Sequence, residues 1–230
     1  MRVGDLPRRV VAEALGTALL LATVVGSGIM AERLSDGNVG LALLCNALAT
    51  GAALIALILT FGTVSGAHFN PAVTLADAVE GGLSWRDVPF YVVAQVLGGI
   101  GGVAVADLMF DLPAWTFSTH ARTGASQWLA EFVATFGLLA TIFGVSRRNA
   151  AATPFAVAAY IVAAYWFTAS TSFANPAVTL ARSLTDTFAG IRPADVPGFV
   201  AAQLAGAGAA TVLFRWLVPG SAATSTRSAA

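Results

Sequence analysis

Charge is scarce in this sequence: only 10% of its 230 residues are charged, well below the roughly 25% of soluble domains. Lysine is absent, so all twelve basic residues are arginine, and twelve acidic residues bring the net charge to zero. The low content of charged residues excludes a water-soluble globule, and the zero net charge argues against a nucleic-acid partner. The single cysteine excludes a disulfide scaffold. With 57% hydrophobic residues, the composition is that of an integral membrane protein.

Six apolar stretches have about the 20 residues that a helix needs to cross a bilayer. They cover roughly residues 10–31, 39–62, 88–108, 127–146, 152–170 and 196–217. The stretches are continuous, whereas membrane-spanning β-strands are short and alternate between apolar and polar residues. The sequence therefore predicts an all-α membrane protein with six spans in one domain, residues 1–230. Residues 219–230 are small and polar, and we expect them to form a disordered tail.

The positions of the arginines indicate the orientation in the membrane. If the N-terminus lies in the cytoplasm, eight arginines fall on the inner side and four on the outer side, namely Arg33, Arg122, Arg182 and Arg192. Because basic residues accumulate on the cytoplasmic side, both termini are predicted to be cytoplasmic. We expect a multi-pass protein of the inner (cell) membrane.

The chain contains two copies of one three-span unit, residues 1–110 and 127–218. The sequence NPAVTLA at 70–76 recurs without change at 175–181, and the Ala-Glu pair before the first recurs before the second. Three is an odd number of spans, so the second copy must enter the membrane from the opposite side. Such inverted repeats place a functional site near the midplane of the membrane, where broken helices meet.

Each Asn-Pro-Ala segment is too short to span. A helix from Asn70 to about residue 81 is about 18 Å long, against a hydrocarbon core of about 30 Å. Asparagine suits the N-cap and proline the first turn, so Asn70 and Asn175 are predicted to begin half-helices whose positive ends point at the midplane. We expect the preceding residues, 66–69 and 172–174, to be extended with free carbonyls. At membrane depth such backbone is tolerated where it lines a wet cavity, so a water-lined path is predicted.

Four polar side chains lie inside spans at matching positions of the two repeats: Glu13, Glu131, Gln95 and Gln203. A charged residue near the bilayer centre costs about 2.5–3.5 kcal/mol on insertion scales, so each glutamate needs a partner. One interpretation is a proton relay, as in a transporter. The other is a structural brace that accepts hydrogen bonds from the loops before the half-helices. The symmetric placement favours the brace.

With this ordered set of features, the sequence resembles the aquaporin family (major intrinsic proteins) over nearly its whole length. Residues 65–74, SGAHFNPAVT, match the family signature almost letter for letter. The resemblance implies six helices and two half-helices around one pore per subunit, commonly in a homotetramer in the lipid bilayer. It implies water and small neutral solutes as partners, and no catalysis, cofactor or metal.

The resemblance also assigns the residues of the pore. The pore centre would be formed by Asn70, Pro71, Ala72, Asn175, Pro176 and Ala177. Both asparagine amides would point at the pore centre, and a ladder of carbonyl acceptors would come from Gly66, Ala67, His68, Ser172, Phe173 and Ala174. Water would then pass in single file, and the opposed half-helix dipoles would exclude protons and cations.

The family's narrow outer filter falls on Thr50, Ala163, Ser172 and Val178. Water-conducting members carry Phe, His, a small residue and Arg there, so the arginine is missing and a wider opening is expected. A similar bacterial branch with Thr and Val at these positions is associated with arsenic resistance and conducts arsenous acid, antimonous acid and methylated arsenicals. The resemblance favours these permeants, and an ordinary water or glycerol channel remains the alternative.

Arg182 lies four residues after Val178, on the same face of the predicted half-helix. In one interpretation it forms a cationic vestibule that partly replaces the missing filter charge and attracts oxyanions. In the other it pairs with Asp186, four residues further on, and this ion pair is the favoured interpretation.

A coupled secondary transporter is the alternative of another class, since transporters also use inverted repeats and broken helices. Coupling would need titratable groups at the midplane, where this sequence has Asn, Pro and Ala. An enzyme is not expected, because the sequence has no metal cluster or nucleophile motif. Passive flow is therefore predicted.

Overall fold

The computed structural model describes residues 5–217, which form eight α-helices joined by loops and two short 3₁₀ turns. The helices are α1 (Leu6–Leu34), α2 (Val39–Ser65), α3 (Pro71–Val79), α4 (Val88–Met109), α5 (Ala125–Ser146), α6 (Thr153–Phe167), α7 (Pro176–Arg182) and α8 (Val196–Leu217). Six are long and apolar enough to cross a membrane, α6 together with the 3₁₀ turn before it and α8 likewise. The other two, α3 and α7, are short. The all-α prediction of six spans and two half-helices is confirmed.

Helix ends differ by a few residues from those predicted, for local reasons. Helix α1 begins at Leu6 because the Asp5 carboxylate caps it, accepting from the Arg8 N–H at 3.2 Å. Helix α6 ends at Phe167, three residues early, and the Thr168 hydroxyl closes its last turn on the Ala164 carbonyl. The predicted tail, residues 219–230, lies outside the described residues.

Close helix contacts hold the half-helices in the centre. Helix α1 packs along α4, and α5 packs along α8. At these crossings a Cβ atom on Gly98 or Gly102 would collide with backbone carbonyls of α1, and one on Gly206 would collide with the Phe132 carbonyl of α5. Small residues at such crossings let two backbones approach closely, which is how membrane helices associate. Helices α3 and α7 pack against the same two long helices, α4 and α8.

Replacing Gly102 with alanine is expected to lower the free energy of unfolding by about 1–3 kcal/mol, because the new methyl group would force α1 and α4 apart. Gly101 on the same helix is a matched control, since a Cβ there meets nothing within 4 Å. Gly101→Ala should leave stability unchanged or raise it by up to about 1 kcal/mol through helix propensity. Thermal unfolding of both variants in detergent measures the difference, and equal unfolding temperatures would contradict the packing argument.

Candidate functional site: a cavity at the tips of the half-helices

The two half-helices begin as their sequence predicts. Asn70 caps α3 and its side-chain oxygen accepts from the Ala72 N–H at 2.9 Å. Asn175 caps α7 in the same way, accepting from the N–H groups of Ala177 (3.0 Å) and Val178 (3.2 Å). Proline follows each asparagine at the first helical position, where no hydrogen bond is lost.

The two tips are joined by reciprocal hydrogen bonds. The Asn70 amide donates to the Ala174 carbonyl at 2.8 Å, and the Asn175 amide donates to the Phe69 carbonyl at 2.7 Å. An amide has two N–H donors, so each asparagine keeps a second N–H beyond this cross-link. The Ala174 carbonyl, predicted to be a free acceptor, is therefore engaged by the opposite half-helix.

The loops before the tips are not extended, contrary to the expectation from sequence. Ala67 and Phe69 in the first loop, and Ser172 and Ala174 in the second, have positive φ values of 48–53°, while the residues between them do not. Alternation of this kind directs successive N–H groups to one side, where they can bind an anion. In this protein the anion is a buried glutamate.

Glu13 lies against the first loop and is fully buried. Its carboxylate accepts from the N–H groups of His68 (3.0 Å) and Phe69 (2.7 Å) and from the Gln95 amide (2.8 Å). In a trans peptide the C=O points away from the N–H. The carbonyls of Ala67 and His68 therefore point away from Glu13, and both residues line the central cavity.

Glu131 makes the same contacts in the second half. Its carboxylate accepts from the N–H groups of Phe173 and Ala174, both at 2.8 Å, and from the Gln203 amide at 2.6 Å. The carbonyls of Ser172 and Phe173 consequently point away from Glu131, and these residues too line the cavity. Each glutamate is thus placed as a brace for one loop.

A cavity of about 390 Å³ runs past both tips. At one end its walls include Glu80 and Arg147, and at the other end Thr50, Tyr165 and Arg182. Gly66 also lines it. The His68 ring lies on the wall, with Nδ1 3.1 Å from the Thr74 hydroxyl and Nε2 3.4 Å from the Asp77 carboxylate.

The prediction is wrong for one of the four filter residues, Ala163. It is exposed on the outside of α6 and does not line the cavity. Tyr165 lines the cavity instead, is 3% exposed and lies 3.2 Å from the Thr50 hydroxyl. Two residues along a helix amount to a rotation of about 200°, which puts the two side chains on opposite faces. The cavity at Thr50 therefore contains a tyrosine side chain, whereas the sequence predicted only small side chains at the filter.

The other three filter positions, Thr50, Ser172 and Val178, are buried and line the cavity. The Ser172 hydroxyl is buried and has no hydrogen-bond partner among residues 5–217. Val178 presents an apolar surface. The end of the cavity at Thr50 thus combines the unpaired Ser172 hydroxyl, the hydroxyl pair of Thr50 and Tyr165, and the apolar surface of Val178.

Arg182 does not form the ion pair that the sequence favoured. Asp186 accepts instead from the N–H and hydroxyl of Thr119, at 2.8 and 3.0 Å. Arg182 is 2% exposed, lines the cavity, donates through Nε to the Ala189 carbonyl, and lies 3.4 Å from the centroid of the Phe173 ring. Sequence spacing missed this arrangement because the loop after α7 turns Asp186 away.

Comparison with known proteins agrees with this geometry. Residues 2–166 match the family described as major intrinsic protein. The chain is 59% identical over 218 residues to aquaglyceroporin AqpS of Rhizobium meliloti (strain 1021), covering 95% of this chain and 93% of that protein. It is 37% identical over 129 residues to the probable aquaporin NIP7-1 of Arabidopsis thaliana, covering 56% and 46%. The X-ray structure of the aquaglyceroporin from Plasmodium falciparum shares the fold, with a TM-score of 0.68 and 21% identity over 93% of this chain and 95% of that one.

Proposed function

The chain belongs to the major intrinsic protein family, and from that premise we propose that it conducts small neutral solutes bearing several hydroxyl groups, with arsenous acid, antimonous acid and methylated arsenicals as the favoured permeants. Family members are passive membrane channels for small solutes, not enzymes. Water is expected to pass as well. An ordinary water or glycerol channel is the second candidate, favoured by the aquaglyceroporin name of the relative from Rhizobium meliloti.

Ser172 and Val178 carry this proposal. A solute with hydroxyl groups can satisfy the unpaired Ser172 hydroxyl, while Val178 accommodates an apolar edge or a methyl group. At neutral pH arsenous acid is uncharged and has the shape of a small polyol. The Tyr165 and Thr50 hydroxyls offer a further donor and acceptor on the same wall.

We propose further that the protein is a homotetramer of the inner membrane with both termini in the cytoplasm. The arrangement of arginines supports this orientation. The tetramer is an inference from the family. We also propose that residues 1–110 and 127–218 are inverted repeats, which the equivalent contacts of Glu13 and Glu131 support.

Replacing Ser172 with alanine is expected to lower arsenite and glycerol permeability about fivefold, the effect of losing one hydrogen bond of about 1 kcal/mol. Water permeability should change less, because water finds other partners. Stopped-flow swelling of proteoliposomes measures water and glycerol, and timed uptake measures arsenite.

The wild-type channel should raise arsenite permeability at least tenfold over empty vesicles, without dependence on a proton or sodium gradient. If glycerol permeability rises while arsenite permeability stays at that of empty vesicles, the result would favour an ordinary water or glycerol channel. Uptake that followed an ion gradient would point to a coupled transporter.

A further inference from the structure

The outer end of the cavity contains a buried cation, Arg182, that makes no direct ion pair within the part of the chain that the structure describes. Arg182 forms no ion pair with any carboxylate among residues 5–217. Of its three guanidinium nitrogens only Nε donates to protein, to the Ala189 carbonyl, within the same residues. The two terminal nitrogens make no hydrogen bond to residues 5–217, and the Arg182 side chain that carries them lines the cavity. Burying an unpaired charge is unfavourable, so a residue of this kind indicates a functional site.

The nearby carboxylates are engaged elsewhere. Glu131 braces the second loop, and Asp186 accepts from Thr119. Asp195 accepts from the side chain of Arg192 and from the backbone N–H of Arg122, at 2.9 and 2.8 Å. None forms an ion pair with Arg182 among residues 5–217, and the Glu131 charge acts on it only from beyond ion-pair distance.

A second arginine makes the same region more positive. Arg122 lies 5.0 Å from the centroid of the Phe173 ring, against which Arg182 also packs. Its Nε donates to the Gly190 carbonyl at 2.8 Å, and its other nitrogens face the Ser170 and Phe188 carbonyls. Burial lowers the pKa of Arg122 to about 10, so it remains protonated at neutral pH. Arg122 supplies charge, and Arg182 supplies both charge and free donors.

His120 lies in the loop at this mouth, where the positive charge of the two arginines affects its pKa. The pKa of His120 is lowered, first by burial and then by the charges of Arg122 and Arg182. His120 therefore stays neutral near pH 7 and adds no further cation. Arg122 and Arg182 are therefore the buried cations at this mouth, and the Asp186 carboxylate acts on His120 in the opposite direction.

From these contacts we infer that Arg182 and Ser172 form a binding subsite for the monoanion of a small oxyacid at the outer end of the channel. The charged oxygen of the ligand pairs with the terminal nitrogens of Arg182, in the fork geometry that suits carboxylate, phosphonate and related groups. A second oxygen accepts from the unpaired Ser172 hydroxyl. A methyl substituent fits against Val178, on the same wall.

This subsite deepens the proposed function and rests on it, since the same cavity carries the solutes. It lies at the outer end, and the carbonyls and amides of the half-helix tips lie between it and the inner end. Small oxyanions are therefore expected to collect at the mouth and to compete with neutral solutes for entry.

The test uses methylphosphonate as the probe and the full-length protein in nanodiscs. Broadening of the methylphosphonate ³¹P resonance reports binding without any need for conduction. We expect saturable binding to the wild type and at least tenfold weaker binding to Arg182→Gln. Arg33→Gln removes the same charge from an exposed residue that does not line the cavity, and should stay within twofold of the wild type.

Arg182→Lys keeps the charge and covers the case in which Arg182→Gln does not fold. Its binding should lie between those of the wild type and of Arg182→Gln, closer to the wild type, because the cation remains but the fork is lost. Equal broadening by the wild type and Arg182→Gln, or equal loss in Arg33→Gln, would overturn the subsite. So would wild-type protein that does not broaden the resonance.

A parallel flux measurement separates the two proposals. Methylphosphonate outside proteoliposomes should reduce glycerol permeability of the wild type in a saturable manner, and should not reduce that of Arg182→Gln. Absence of glycerol and arsenite flux, with Arg182-dependent binding intact, would refute the proposed function and leave the subsite standing. Normal flux without Arg182-dependent binding would refute the subsite alone.

Discussion

Replacing Glu131 with alanine is expected to abolish accumulation of the folded channel. The change leaves the N–H groups of Phe173 and Ala174 and the Gln203 amide without their acceptor, in a buried part of the protein. Each buried donor left unpaired costs about 1–3 kcal/mol. The sum approaches the total stability of a typical domain. Yield of monodisperse protein on size exclusion, and thermal unfolding of what is recovered, measure the loss.

Glu13→Ala should behave in the same way, because Glu13 makes the equivalent contacts in the first half. Glu32→Ala is the matched control: it removes the same charge from an exposed position of α1 and should be purified at wild-type yield. A Glu131→Ala protein that unfolded at the wild-type temperature would refute the brace.

Replacing Val178 with arginine is expected to reduce glycerol and arsenite permeability at least tenfold. Val178 is 5% exposed and lines the cavity, so the longer arginine side chain narrows the cavity at this point. It also adds a third cation to the region of Arg182 and Arg122, where like charges repel one another. Water permeability should fall less, because a narrow opening with fixed donors still passes single-file water.

Val178→Thr serves as the control for size, since threonine has nearly the shape of valine and should leave water and glycerol permeability within about twofold. Swelling assays in proteoliposomes of equal protein content provide the comparison. Unchanged solute permeability in Val178→Arg, with protein of normal unfolding temperature, would show that Val178 is not part of the filter.

The sequence predicted the fold because the determinants of membrane topology are local. A continuous apolar run of sufficient length specifies a spanning helix by itself, as α2 and α4 show. Asparagine followed by proline specifies a helix start, as Asn70 and Asn175 show. The partners of Glu13 could also be predicted, because within the membrane few groups other than backbone N–H can donate hydrogen bonds to a carboxylate.

The site was less predictable, and two residues show why. The family resemblance assigned Ala163 to the filter, although the buried positions Val157, Ile161 and Tyr165 follow the helical period and identify the inner face of α6. Arg182 was expected to pair with Asp186 because helical spacing would bring the two together. Helix α7 ends at Arg182, however, so that spacing no longer applies to Asp186.

By itself the sequence determined six spans and two half-helices, because hydrophobic length and capping act between residues close in the chain. Only the tertiary structure decided which side chains reach the cavity: Tyr165 rather than Ala163, and Arg182 with its terminal nitrogens unpaired. Side-chain direction at the mouth depends on where loops far apart in sequence come to lie, as when the Thr119 N–H donates to the Asp186 carboxylate. Such contacts leave no periodic signal in the chain, so they can be read from the folded protein alone.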